Sequence, residues 1–233
     1  MTLRHRRAEE RLRTRFDWLD GRHSFSFGDH YDPSWIRFRT LRVLNDDRVA
    51  PGGGFPTHPH ADMEIVTIPL EGLLEHRDSL GSGAVLDPGM IQVMSAGTGI
   101  THSEFNPSKT NPTRLLQIWI LPRQKGLAPR YRDLRLDPDA SRGRLALVAG
   151  PEGAGAPAEL RQDARILLAA LEAGAEVEHP LAPGRGAWIQ VATGEIEANG
   201  VRLAEGDGLG VEEESKIRLR AVTRAKAVLL DLA

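Results

Sequence analysis

Two pairs of residues in this chain have the types and the spacing of a metal centre: His58 with His60, and His102 with Glu104. The members of each pair are two apart, and along a strand residues i and i+2 leave the same face, roughly 6.5–7 Å apart along the backbone. On neighbouring strands the two pairs would converge on one point. Three imidazoles and a carboxylate suit iron, nickel, cobalt, manganese, copper or zinc. Pro59 fixes φ and offers no donor, which marks its stretch as an edge or a stiffened strand start. Gly52 to Gly54 ahead of His58, and Gly97 and Gly99 ahead of His102, let backbone pass close to a crowded centre. Glu64 is a rival carboxylate, because in a regular strand it shares a face with His58 and His60. Strand parity leaves the two open.

A histidine pair two apart is commonly just a pair of hydrogen-bonded surface side chains. The second pair, holding a carboxylate, argues otherwise in a chain with no cysteine. The same absence excludes disulfides, thiolate metal sites and cysteine nucleophiles, so a metal here must use imidazole and carboxylate. His5, His23, His30 and His76 have no partner at ligand spacing and are expected to be solvated or hydrogen-bonded. In the second half His179 is the one histidine, and Ile217-Arg218-Leu219-Arg220 stands where ligands would be needed. A purely structural role is expected there.

The elements that must position these residues read as strands. Apolar runs are brief and rich in valine, isoleucine and leucine: Thr40–Leu44, Glu64–Leu70, Ile91–Met94 and Leu115–Leu121. Turn signals separate them, among them Gly81-Ser82-Gly83 and Asp87-Pro88-Gly89. This is an all-β pattern of the sandwich or barrel kind. The stretch from Val148 to Pro157 reads as a flexible connector, followed by further strand-like runs such as Ala187–Val191 and Ile217–Val222. Pro69-Leu70-Glu71-Gly72 with a later Pro88-Gly89 is matched by Val191-Ala192-Thr193-Gly194 with a later Glu205-Gly206-Asp207. The chain is therefore expected to hold two β-barrels of one architecture, the metal-binding one over 1–140 and one without ligands over 141–233.

At 233 residues the chain is long enough to bury roughly 70–75% of its unfolded surface. Thirty lysines and arginines against 32 acidic residues give a formal net charge of −2, with no positive excess to recruit nucleic acid or anionic lipid. The arginine-rich start lacks the apolar core of a secretory signal, and no run of about 18 apolar residues occurs. A cytoplasmic protein is expected, acting as a monomer.

The spacing of the ligand candidates resembles a known family. Gly52, five residues, His58, one, His60, three, Glu64 and a later Gly72 is similar to the first cupin motif, with one extra residue before the last glycine. Gly89, five residues, Ser95, one, Gly97 and then His102 is similar to the second, with serine for proline and four residues before the histidine. Those departures, together with Ser95-Ala96-Gly97-Thr98-Gly99-Ile100-Thr101-His102-Ser103-Glu104, look like the pirin branch of the cupins. His23-Ser24-Phe25-Ser26-Phe27, Leu41-Arg42-Val43-Leu44-Asn45-Asp46-Asp47 and Leu116-Gln117-Ile118-Trp119-Ile120 agree.

The resemblance implies two cupin barrels in tandem, and one divalent metal, iron first among the candidates, held by His58, His60, His102 and Glu104. Glu64 would then orient an imidazole by accepting its free N–H. It also implies a quercetin 2,3-dioxygenase, which cleaves a flavonol with O₂ and releases carbon monoxide and a depside, Glu104 serving as general base. Phe55, Ile65, Ile91 and Met94 are the expected walls for a flat aromatic ligand. The competing implication is a pirin whose metal state regulates a protein partner without turnover.

Overall fold

Runs in which every second side chain is apolar fold here as strands whose apolar faces turn inward. The computed structural model describes residues 2–233, and it divides them into two compact β units. Strand Lys216–Ala221 shows the rule: Ile217, Leu219 and Ala221 are buried while Arg218 and Arg220 are exposed. The expected runs appear as strands Leu41–Val49, Glu64–Glu71, Met90–Ser95 and Thr113–Ile120. Among the described residues no helix is long and apolar enough to cross a membrane.

The metal-candidate unit has two sheets. The larger runs Arg130–Arg135, Met90–Ser95, Glu64–Glu71, Thr113–Ile120, Leu41–Val49, Leu19–His23, Leu12–Arg15. The smaller runs Gly54–His60, Ile100–Phe105, Leu74–Asp78, Gly83–Leu86. The sheets close on each other as a flattened barrel, with Leu74 and Leu86 of the smaller packed on Leu115 of the larger.

The other unit repeats the plan. Its larger sheet includes, in order, Thr2–Arg6, Gly208–Glu212, Gly186–Thr193, Ala225–Leu232, Ala164–Leu171 and Ala146–Pro151. Its smaller sheet runs Glu176–Pro180, Lys216–Ala221, Ile196–Ala198, Val201–Leu203. The repeat foreseen around Gly72 and Gly194 is physical: both have positive φ, +70° and +76°, and a Cβ would strike the carbonyl oxygen of Pro112 or Arg224. Only glycine fits a turn that is both left-handed and pressed against backbone.

The boundary at 140 needs correction in two places. The strand Thr2–Arg6 pairs antiparallel with Gly208–Glu212, and Leu3 packs on the core of the second unit, so residues 2–11 belong there with 137–157. Conversely 158–162 belong to the first unit: Arg161 donates its backbone N–H to Glu64 at 3.0 Å, and Gln162 Nε2 bonds the Leu121 carbonyl at 2.7 Å. Nor is Val148–Pro157 wholly a connector, since Ala146–Pro151 is a strand paired with Ala164–Leu171. Composition reports local propensity, and these corrections come from pairing partners remote in sequence.

Candidate metal centre

Strands Gly54–His60 and Ile100–Phe105 lie side by side and antiparallel, with His102 directly opposite His58. His58 and His60 leave one face of the first strand; His102 and Glu104 are both buried on the inner face of the second. His102 Nε2 is 3.0 Å from His60 Nε2 and 3.1 Å from His58 Nε2. Nitrogens about 2.1 Å from a common ion and at right angles to each other would be about 3.0 Å apart. The three imidazoles thus already have the spacing of neighbouring ligands of one metal.

Their protonation fits as well. The nitrogen of His58 remote from the cluster, Nδ1, is 2.8 Å from the Pro56 carbonyl, which only accepts, so Nδ1 carries the proton and Nε2 presents a lone pair. Burial, then the neighbouring His58, pushes His60 down to about 4. Burial, then His58, His60 and His76, pushes His102 down to about 2. Neutral imidazole is the ligating form. Lone pairs converging in a buried site repel one another, and a cation between them removes that repulsion.

Glu104 sits deeper. It is not within ligand distance of all three imidazoles; it forms a second group with His102 and His76. Gln117 Nε2 donates to its Oε2 at 2.8 Å, and Thr67 Oγ1, which donates its one proton to Gln117 Oε1 at 2.8 Å, stands 3.4 Å from its Oε1. Both partners reach across from the larger sheet. Burial pushes the Glu104 carboxyl up to about 7, against those two contacts.

Glu64 does not orient an imidazole. Chain parity from His60 is broken, because Ala61–Met63 is a connection and Glu64 opens a new strand in the other sheet. Its Oε2 accepts from Ser95 Oγ at 2.8 Å and from the Arg161 N–H, while burial raises its pKa. It fastens 158–162 to the barrel. Of the expected aromatic-ligand walls, Phe55 lies beside His58 with ring centroids 6.4 Å apart. Ile65 and Met94 instead form a buried cluster with Ala96 and Ile100, and Ile91 is fully buried.

Four residues that spacing alone passed over border the site: His76, Asp78, Gln117 and Trp119. Trp119 meets His60 edge-on with centroids 4.8 Å apart. His76, expected to be solvated or hydrogen-bonded, is hydrogen-bonded to Asp78 at 3.1 Å; it is also fully buried and packs on His102, centroids 5.1 Å apart. A signal was present: His76 and Asp78 are also two apart, the same spacing as the other two pairs. The other histidines are hydrogen-bonded elsewhere, His5 to Asp207 at 3.2 Å, His23 and His30 to Thr14 at 2.8 and 3.1 Å, and His179 to Asp231 at 2.9 Å.

Two β-barrels of one strand order, one of them lined by converging imidazoles, define a protein of the double-cupin class. Residues 5–120 match the Pirin family model, and residues 147–232 match the model described as Quercetinase C-terminal cupin domain. The chain belongs to the pirin family. It is 43% identical over 227 residues to the quercetin 2,3-dioxygenase of Escherichia coli K12, covering 97% of each chain. A pirin-like protein of Caulobacter vibrioides is 41% identical over 93% of each chain. The crystal structure of the bacterial pirin YhhW of Escherichia coli in complex with nickel(II) superposes with TM-score 0.94 at 42% identity, covering 99% of both chains.

Proposed function

We propose that this pirin is a metal-dependent quercetin 2,3-dioxygenase that opens the ring of a flavonol with O₂, and that His58, His60, His102 and Glu104 hold its one divalent cation. The observation that carries the reading is the convergence of three imidazoles, with His102 Nε2 3.0 Å from His60 Nε2 and 3.1 Å from His58 Nε2, in a chain 43% identical to a quercetin 2,3-dioxygenase. Iron is the first candidate ion; the nickel(II) held by the YhhW relative supports a divalent first-row metal more broadly. When bound, the cation supplies Lewis acidity that makes a flavonol hydroxyl easier to deprotonate.

The chain's own residues supply the rest. Glu104, buried beside the imidazole cluster, is the carboxylate placed to take up the hydroxyl proton. Gln117 fixes Oε2 at 2.8 Å, whereas the longer 3.4 Å contact from Thr67 leaves Oε1 the freer oxygen for that proton. An open groove of ≈ 460 Å³ has His60 in its lining, with Pro59, Ala61, Ser79, Ile100 and Thr101. Phe55 and Trp18, edge to face with centroids 5.0 Å apart, offer aromatic surface beside His58 to a planar substrate.

The test is turnover by protein stripped with chelator and reloaded with iron, nickel, cobalt, manganese, copper or zinc in turn. Loss of quercetin absorbance should require metal and should match carbon monoxide release one to one. No metal-dependent loss with any of the six ions overturns the proposal.

A further inference from the structure

The imidazole of His102 has a second nitrogen, Nδ1, on the side away from His58 and His60. It lies 3.4 Å from Nδ1 of His76. The far nitrogen of His76, Nε2, lies 3.1 Å from Oδ2 of Asp78. The side chains of His76 and Asp78 are fully buried, and His102 nearly so. Asp78 is held from its other end: Oδ1 accepts the backbone N–H of Leu80 at 2.9 Å and of Ser82 at 3.0 Å, so the turn that follows leaves Oδ2 for His76. Tyr131 stacks on the His76 ring, centroids 4.6 Å apart and planes 18° apart, and keeps it from tilting.

The donors and acceptors of this row can be assigned one after another. An ionised carboxylate only accepts, so the proton between Oδ2 and Nε2 belongs to His76. A neutral imidazole has one N–H, which makes His76 Nδ1 an acceptor. The proton between the two Nδ1 atoms therefore belongs to His102, and His102 Nε2 is left with a bare lone pair aimed at His58 and His60.

We propose that Asp78 and His76 are positioning residues that set the tautomer of His102, and through it the metal affinity of the centre. This rests on the metal reading above. A carboxylate that fixes a ligating imidazole is a recurrent arrangement around metals; here a second imidazole stands between carboxylate and ligand. The row works by polarity alone, so reversing one end reverses all of it. Asp78→Asn keeps the size and the Oδ1 contacts to the turn but points an amide donor at His76 Nε2. His76 must then carry its proton on Nδ1, His102 must accept there, and the His102 proton moves to Nε2, where the metal needs a lone pair.

Two measurements test this. In metal-free protein with ¹⁵N-labelled histidine, the ring shifts should show His102 protonated on Nδ1 in wild type and on Nε2 in Asp78→Asn. Nickel(II) and zinc(II) affinities, by competition with a chromophoric chelator, should fall about ten- to a hundredfold in Asp78→Asn. Added to His102→Ala, the same substitution should do nothing further. Wild-type His102 protonated on Nε2 overturns the proposal without any variant, which covers a failure of Asp78→Asn to fold. Unchanged affinity in a folded Asp78→Asn overturns it too. If wild type binds neither ion yet shows the expected shifts, the metal reading falls and the tautomer assignment stands.

Discussion

The two barrels share one strand order in the smaller sheet and opposite contents. In the first, His102 is in register with His58 on one side and Asp78 on the other, and Glu104 with His76. In the second, Leu219 is in register with Val177 and Ala198, and Ala221 with Ile196. The larger sheets repeat the contrast. Thr67 stands opposite Gln117 in one and Ile189 opposite Leu229 in the other; Thr67 and Ile189 are each three places in from the first residue of their strands, and Gln117 and Leu229 each four. Ile189, Leu229, Ile217 and Leu219 belong to one apolar cluster, whereas Thr67 and Gln117 are spent on Glu104. The architecture supplies equivalent inward positions, and the side chains placed there decide between a core and a site.

The sharpest way to break that comparison is to remove a ligand. His102→Ala should abolish metal binding, and with it the metal-dependent rise in melting temperature, which corresponds to about 2.7 kcal/mol at a hundredfold excess of metal over Kd. His179→Ala in the other barrel should leave that rise intact. Melting each variant with and without added nickel decides it, and a loss confined to His179→Ala would place the centre in the wrong barrel. Next in size, Glu104→Gln should lower flavonol turnover by about two to four orders of magnitude, the usual worth of a positioned base. Rates measured beside metal content separate loss of the base from loss of the ion.

A reciprocal exchange sharpens the contrast further. Leu219→His buries an imidazole among apolar neighbours and should cost about 1–3 kcal/mol of stability. His102→Leu, read on the metal-free protein, should cost less than that, because it relieves crowded lone pairs. Urea titration of both variants tests the ranking. Glu64→Gln should leave metal affinity unchanged and cost about 1–2 kcal/mol, since its partners are Ser95 and the Arg161 N–H and no imidazole. A tenfold loss of affinity in that variant would restore Glu64 to the metal centre.

The smallest effect concerns acid. Burial works against charge on Asp231, but hydrogen bonds from His179 and Arg185 hold it below the usual carboxylate range. A depressed carboxylate stabilises the fold above its unfolded pKa, and that contribution is lost as pH falls through the lower folded value. The second barrel should lose stability as pH falls below the usual aspartate range, about 4, and Asp231→Asn should flatten that dependence in melting curves taken across acid pH.

The three candidate histidine ligands were legible because alternation is a local rule, and His58-x-His60 and His102-x-Glu104 obey it within single strands. What spacing could not show was which strands become neighbours. His76 and Asp78 fit the same rule, yet only the pairing of Ile100–Phe105 with Leu74–Asp78 places them behind His102. Glu64 was assigned a face by counting through Ala61–Met63, where the chain leaves one sheet for the other. The two-barrel plan followed from repeated strand and glycine-turn patterns, but a strand carries no mark of the barrel that will accept it.

That last point bears on how the molecule is made. Strand Thr2–Arg6 is synthesised well before its partner, Gly208–Glu212, which follows only about 200 residues later, a wait of roughly 10–40 s at 5–20 residues per second. By the time Gln162 has emerged, every segment of the barrel that holds the imidazole cluster exists, so that barrel can close while the other still lacks most of its sheet. Through that interval the waiting strand is an unpaired edge, a hazard for association with other nascent chains. Its charges, Arg4 and Arg6, are the kind that discourage such pairing until the proper neighbour arrives.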